Sequence, residues 1–342
     1  LKDLTYFKMK YSENALNVLT AKSYKGIGNA WIVEHFNGNT NVETIVSSIN
    51  KKFKGDAVSV EEFERLRNHF ESILKQKFSD NCDGVVAIGD SDFPQFRGVV
   101  KESAQPVFLY YKGDIDLLCS QNKNITVIGL LNPDGNIEER ERRIVHQLVK
   151  QGATIVSGLA FGCDSIAHQQ TLDSNGKTVA ILPSPLNNIL PARNKGLAYQ
   201  IVEEGGLLVS EYGTDYKSQM ELSSRYLERD RLQALFCDSI VLAASYAKDS
   251  ADKWGILGQK LDSGARHAMG HAREYKIPFS VMYDDALDQT NPMFDLNRQI
   301  ISQFNDTMII SEDNYMEMIS KIMGQKPKSD NTGYQTTIPL NE

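Results

Sequence analysis

The run TIVSGLAFGCDSIAH at residues 154–168 constrains the fold of this chain more than any other stretch. Thr154, Ile155 and Val156 are β-branched and read as a short buried strand that stops at Ser157 and Gly158, where the backbone becomes permissive. Gly158 and Gly162 bracket Leu159, Ala160 and Phe161, and Asp164 or Ser165 can cap a helix that continues through Ile166 and Ala167 to about Leu172. A strand, a glycine loop and a helix in that order aim backbone N–H groups and the positive end of a helix dipole at one spot, which suits phosphate. Two glycines also serve as a plain turn in many α/β domains, so the rest of the chain has to decide between the readings.

On either side the pattern alternates. Strands are expected at 125–131, 154–157, 178–182, 207–210, 239–244 and 278–283, with helices near 137–151, 164–175, 194–204, 225–236 and 262–276. Alternation at these lengths predicts an α/β fold, a doubly wound and mostly parallel Rossmann-like sheet with ligands at the carboxyl ends of its strands. Val85 to Ile88 and Pro106 to Tyr111 read as extra strands on its edge. Residues 1–80 read as an N-terminal helical domain of SAM-like or helix-hairpin-helix-like type, its Gly26-Ile27-Gly28 turn serving either a DNA phosphate or a plain helix-helix connection. The main domain is expected over 81–311, with a helix and a polar, mobile tail over 312–342. A chain of 342 residues is long enough for two such domains.

The formal net charge of −7 argues against a surface coated in basic residues for duplex DNA, so any nucleic-acid contact must be local. The four scattered cysteines form no CxxC and no metal-ligand spacing, and they read as reduced thiols of a cytoplasmic protein. No apolar run is long enough for a membrane span, and residues 1–20 show no signal-peptide pattern.

The carboxyl ends of the expected strands gather one rim. It comprises Gly129, then Ser157 to Gly162 with Asp164, then Arg193 and Asn194 after a proline loop, then Glu211, Arg225, Arg229 and Arg231, and finally Ser263, Gly264, Arg266 and His267. Glycine lets backbone come close and arginine binds phosphate bidentately, so the set suits a phosphate chain.

These residues resemble the DprA/Smf family of DNA-processing proteins, whose extended Rossmann domain carries a pattern close to VSGLARGID..AH, an asparagine loop before SE, and RNR ahead of a strand. Here they stand as Val156 to Asp164 with His168, Asn194, Ser210-Glu211 and Arg229-Asp230-Arg231, within a likeness that runs from about Val85 to Ser311. The resemblance implies single-stranded DNA binding, a homodimer formed through the Rossmann domain, and loading of a RecA-type recombinase during natural transformation. Leu130-Leu131 stands where the family places Ser/Thr-Arg, Phe161 where an arginine is common, and Asp230 for the asparagine of RNR, which marks a divergent member.

Each residue carries a plainer alternative. Arg229 and Arg231 lie two apart on one helix and do not share a face, so one or both are phosphate ligands or members of ion pairs. Arg193 and Asn194 contact phosphate or cap a helix. His168 braces the glycine loop, with catalysis the lesser reading, and Glu211 is a general base or holds the arginines. His267 and His271 have zinc-binding spacing but no HExxH glutamate and no third ligand. Phe161 stacks on bases or plugs an apolar pocket. The reading is thus a non-catalytic single-stranded DNA binder with no metal and no cofactor. Its rivals are a small-nucleotide-binding or nucleotide-hydrolysing Rossmann protein, which lacks the PGGxGT string here, and a protein-interaction scaffold.

Overall fold

A computed structural model describes residues 9–53, 57–77, 81–256, 261 and 264–327. The described residues open with β1 (Lys10–Tyr11) and the helices α1 (Glu13–Ser23), α2 (Asn29–His35), α3 (Val42–Lys52) and α4 (Val60–Lys77). Then come β2 (Gly84–Ala87), β3 (Phe108–Gly113), β4 (Lys123–Ile128), α5 (Gly135–Lys150), β5 (Ala153–Ser157), α6 (Cys163–Asp173), β6 (Thr178–Leu182), α7 (Lys195–Glu203) and β7 (Leu207–Ser210). The remainder is α8 (Gln219–Leu235), β8 (Ser239–Leu242), α9 (Ser250–Trp254), α10 (Ala265–Glu274), β9 (Phe279–Met282), α11 (Asp285–Asp288), α12 (Asp295–Gln303), β10 (Met308–Ile310) and α13 (Tyr315–Gly324).

Among the described residues ten strands form one sheet in the order β1-β2-β3-β7-β6-β5-β4-β8-β9-β10. Only β3 runs against its neighbours, β2 and β7; the rest are parallel, as the α/β reading expects. β2 and β3 flank the parallel core on the edge side, as expected. β5 is buried along its whole length, which is why its sequence is an unbroken β-branched run rather than an alternating one. From β4 the chain steps through β5 and β6 to β7 on one side, then returns across the sheet to β8 on the other. The topological switch point therefore lies between β4 and β8, where Ile125 pairs with Ser239 and Ile128 with Leu242. α5, α6 and α7 pack side by side, and α8 packs on α10. Right-handed crossovers place those two groups on opposite faces.

Two apolar clusters meet at β6. Along β6, Val179 and Ile181 enter one core, whereas Ala180 and Leu182 enter the other, which they share with α7 and with Leu16, Ile32, Ile45 and Phe63 of the N-terminal helices.

Three differences from expectation have a structural cause, while β8 also ends at Leu242 rather than at 244. Residues 1–80 are not purely helical among those described, because Lys10 and Tyr11 pair with Gly84 and Val85; that strand owes its existence to its partner, not to any local pattern. α8 begins at Gln219 rather than near 225, because Ser218 caps it by accepting from the Glu221 N–H at 3.1 Å. β4 ends at Ile128 rather than at 131, since the Leu130 carbonyl turns away to accept the Cys163 N–H at 2.9 Å. Residues 328–342, the end of the expected tail, lie outside the described residues.

Candidate nucleic-acid interface

The glycine loop is held open by close backbone packing. A β-carbon on Gly129 would press on the Cys163 sulfur at 2.6 Å, so glycine at 129 lets the start of α6 approach β4. Gly162 has φ +70° and abuts the carbonyls of Leu130 and Leu131, which excludes any side chain there. Leu159, also left-handed at φ +59°, is fully buried.

Asp164 does not cap α6; the cap position is Gly162, without a side-chain bond. Instead the Asp164 carboxylate turns back to accept the N–H groups of Gly158 at 3.1 Å and Ala160 at 3.2 Å, which leaves those two amides occupied. Burial pushes the Asp164 carboxyl up, and Arg229 together with the loop amides pulls it down. The loop's other side is fastened by Asn194, whose amide donates to the carbonyls of Leu159 at 2.8 Å and Ala160 at 3.1 Å and to Ser165 Oγ at 2.9 Å. Ser157 Oγ donates to the Val127 carbonyl at 2.7 Å and ties the loop's root to β4.

The three arginines of α8 have separate tasks. Arg229 is buried, with its guanidinium against Gly158 and ion pairs to Asp164 at 3.9 Å and Asp230 at 3.6 Å. Arg231 grips Glu211 with two bonds of 2.6 and 2.7 Å and donates to the Ala104 carbonyl at 2.8 Å. Arg225 donates to Glu221 at 2.6 Å and to the Thr214 carbonyl at 2.7 Å, its guanidinium 4.3 Å above the Tyr212 ring. Glu211 therefore holds an arginine, the second of its two sequence readings.

His168 does not brace the glycine loop. Its Nδ1 meets Thr178 Oγ1 at 2.7 Å, and that hydroxyl donates to the Ile155 carbonyl, so the ring joins α6 to β5 and β6. Burial first, and Arg229 second, lower its pKa to about 3.

These elements enclose a polar cleft at the switch point, lined by Gly129, Leu131, Ala160, Asp164, Arg229, Asp230, Gln233, Gly264 and Ala265. Its open volume of about 20 Å³ suits a water molecule. Gln233 is 2% exposed and its amide nitrogen has no hydrogen-bond partner among the described residues, so the cleft offers a donor. Gly264, at φ +73°, starts α10 here, while Arg266 and His267 lie in its first turn with Nη2 and Nε2 3.3 Å apart. Ser263 lies outside the described residues. Phe161 (42% exposed) and Leu131 (37%) stand at the surface of the two loops.

Sequence reasoning singled out Arg193, which is exposed, but missed Lys195, also exposed, two residues on at the start of α7. It missed Gln233 and Tyr226 as well. Lys195 had a signal, its place directly after Arg193-Asn194; nothing local marks the other two.

The family model for "DNA recombination-mediator protein A" matches residues 84–251. The chain is 34% identical over 164 residues to protein Smf of Synechocystis, covering 47% of this chain and 40% of that one. It is 30% identical over 183 residues to protein Smf of Borreliella burgdorferi, covering 52% and 55%. These matches span about half the length of the curated relatives. Among solved structures, DNA processing protein A of Streptococcus pneumoniae superposes with a TM-score of 0.65 at 20% identity, over 92% of this chain and 98% of that one. DNA processing protein A of Helicobacter pylori, whose single-stranded DNA binding mode has been described structurally, does so with a TM-score of 0.52 at 24% identity, over 68% and 98%. Both structural likenesses are of fold. No helix among the described residues is long and apolar enough to cross a membrane.

Proposed function

This chain belongs, through residues 84–251, to the DNA recombination-mediator protein A family, and from that premise we propose that it binds single-stranded DNA along the carboxyl-end rim of its sheet. The observation that carries this reading is the fastening of Asn194 to the glycine-loop carbonyls, because it brings two exposed cations, Arg193 and Lys195, to the edge of that loop. Phosphate meets these cations and the N-terminal ends of α6 and α10. Arg225, Arg229 and Arg231 hold the rim in shape and contribute little net charge of their own. The protein acts by binding and not by catalysis: in the cytoplasm, as a homodimer or longer assembly, it delivers the strand to a RecA-type recombinase.

The test is fluorescence anisotropy with a labelled poly-dT strand and a matching duplex at low and moderate salt. The strand should be preferred. Arg193→Ala with Lys195→Ala should weaken binding about tenfold and make the log–log salt slope shallower by about 1.4, two phosphate contacts at roughly 0.7 each. Absence of strand binding at low salt overturns the reading, and a mononucleotide that then raises the melting temperature points to the small-nucleotide alternative.

A further inference from the structure

The charges of the rim are largely spent within the protein. Arg225 is matched by Glu221, Arg229 by Asp164 and Asp230, and Arg231 by Glu211, with closest approaches of 2.6, 3.6 and 2.6 Å respectively. The chain as a whole carries −7. Beyond the exposed Arg193 and Lys195, a strand that relied on phosphate neutralisation would find few cations here to release its counterions.

What the glycine loop does present is ring surface. Phe161 stands 42% exposed on the glycine loop, although an apolar side chain of that size is ordinarily buried. Tyr226, half-buried, lies one turn before Arg229 on α8 with its ring centroid 5.7 Å from the guanidinium carbon. Arg229 thus touches both elements that carry a ring, the loop through Gly158 and the helix through Tyr226. A guanidinium beside a ring draws on its negative face and fixes its orientation.

We infer that this rim holds a single strand mainly by its unpaired bases, with Phe161 and Tyr226 as the stacking platform and Arg229 as the residue that sets the spacing between loop and helix. The inference rests on the single-stranded DNA reading and specifies which part of the strand is recognised. Stacking on aromatic rings accepts any base, so recognition is of unpaired bases as a class and not of a sequence. A duplex hides those faces and is refused for that reason.

The experiment compares a labelled dT strand with an abasic strand of equal length and equal phosphate charge, by anisotropy across a salt series. The dT strand should bind at least tenfold more tightly, with a salt slope no steeper than about two phosphate contacts. Phe161→Ser and Tyr226→Leu should each lower dT affinity about tenfold, one stacked base apiece, and leave abasic binding unchanged. Phe161→Trp and Tyr226→Phe keep a ring and should keep affinity, which separates stacking from misfolding. Equal binding of the two strands overturns the inference and leaves the DNA reading standing; no binding of either strand overturns both.

Discussion

The guanidinium of Arg229 occupies the space a side chain at Gly158 would need. The two residues are 71 positions apart in sequence, and their contact fastens α8 to the glycine loop. Gly158→Ala should therefore expel Arg229 from its pairing with Asp164, where the two side chains are only 5% and 9% exposed. The expected cost is about 2–4 kcal/mol, read as a lower thermal midpoint, because the buried carboxylate keeps only its two amide donors and loses its counter-ion.

Arg231 and Glu211 form the rim's tightest pair, two short bonds between side chains 13% and 15% exposed. Arg231→Met should destabilise by about 3 kcal/mol, and the Arg231→Met/Glu211→Gln double variant should recover much of that loss. A double-mutant cycle by urea unfolding measures the coupling. Strand affinity of the double variant, measured where it is folded, should stay near that of the parent.

The Asn194 amide makes three bonds into the glycine loop and the start of α6. Asn194→Ala should cost about 1–2 kcal/mol. Faster hydrogen exchange of the amides at 158–162 is the specific readout, and a loss of strand affinity should accompany it. Unchanged exchange there would show that the loop is held by Asp164 alone.

Buried His168 titrates near 3 instead of 6.5. Between those values the unfolded chain takes up a proton that the folded protein refuses, so stability falls as pH drops from 6.5 toward 3, at about 1.4 kcal/mol per pH unit where the effect is full. His168→Gln should flatten that part of the pH–stability curve, measured by denaturant unfolding at successive pH values.

Glu141 on α5 has the opposite sign. It is 1% exposed beside the Cys163 thiol, and burial pushes its carboxyl well up. The folded protein keeps that proton while the unfolded chain releases it, so stability is lost as pH rises above the usual carboxylate range. Glu141→Gln should gain stability over the parent progressively as pH rises above the usual carboxylate range; a constant difference there would show that the buried carboxyl is ionised.

Much of the site was legible in the sequence because its framework is local. The β-branched run, the two glycines and the helix of residues 154–168 lie within one span, and each dictates backbone in its own place. The parallel sheet followed from the lengths of the alternating segments. What a local pattern does not carry is the partner of a polar side chain. His168 and Thr178 are ten residues apart, Arg231 and Ala104 127 apart, and each pairing follows from how strands stack. Asp164 looked like a helix cap because caps are the commonest use of such a residue; the fold turned it back on two loop amides instead. β1 was invisible for a related reason, since two residues have no periodicity to read.

The shortness of β1 has its own consequence. The sheet ends on one side in a two-residue strand and on the other in the three residues of β10. Among the described residues neither margin offers a long open backbone for a neighbour to zip onto, and short edge strands are one way proteins with wide sheets avoid uncontrolled fibre growth.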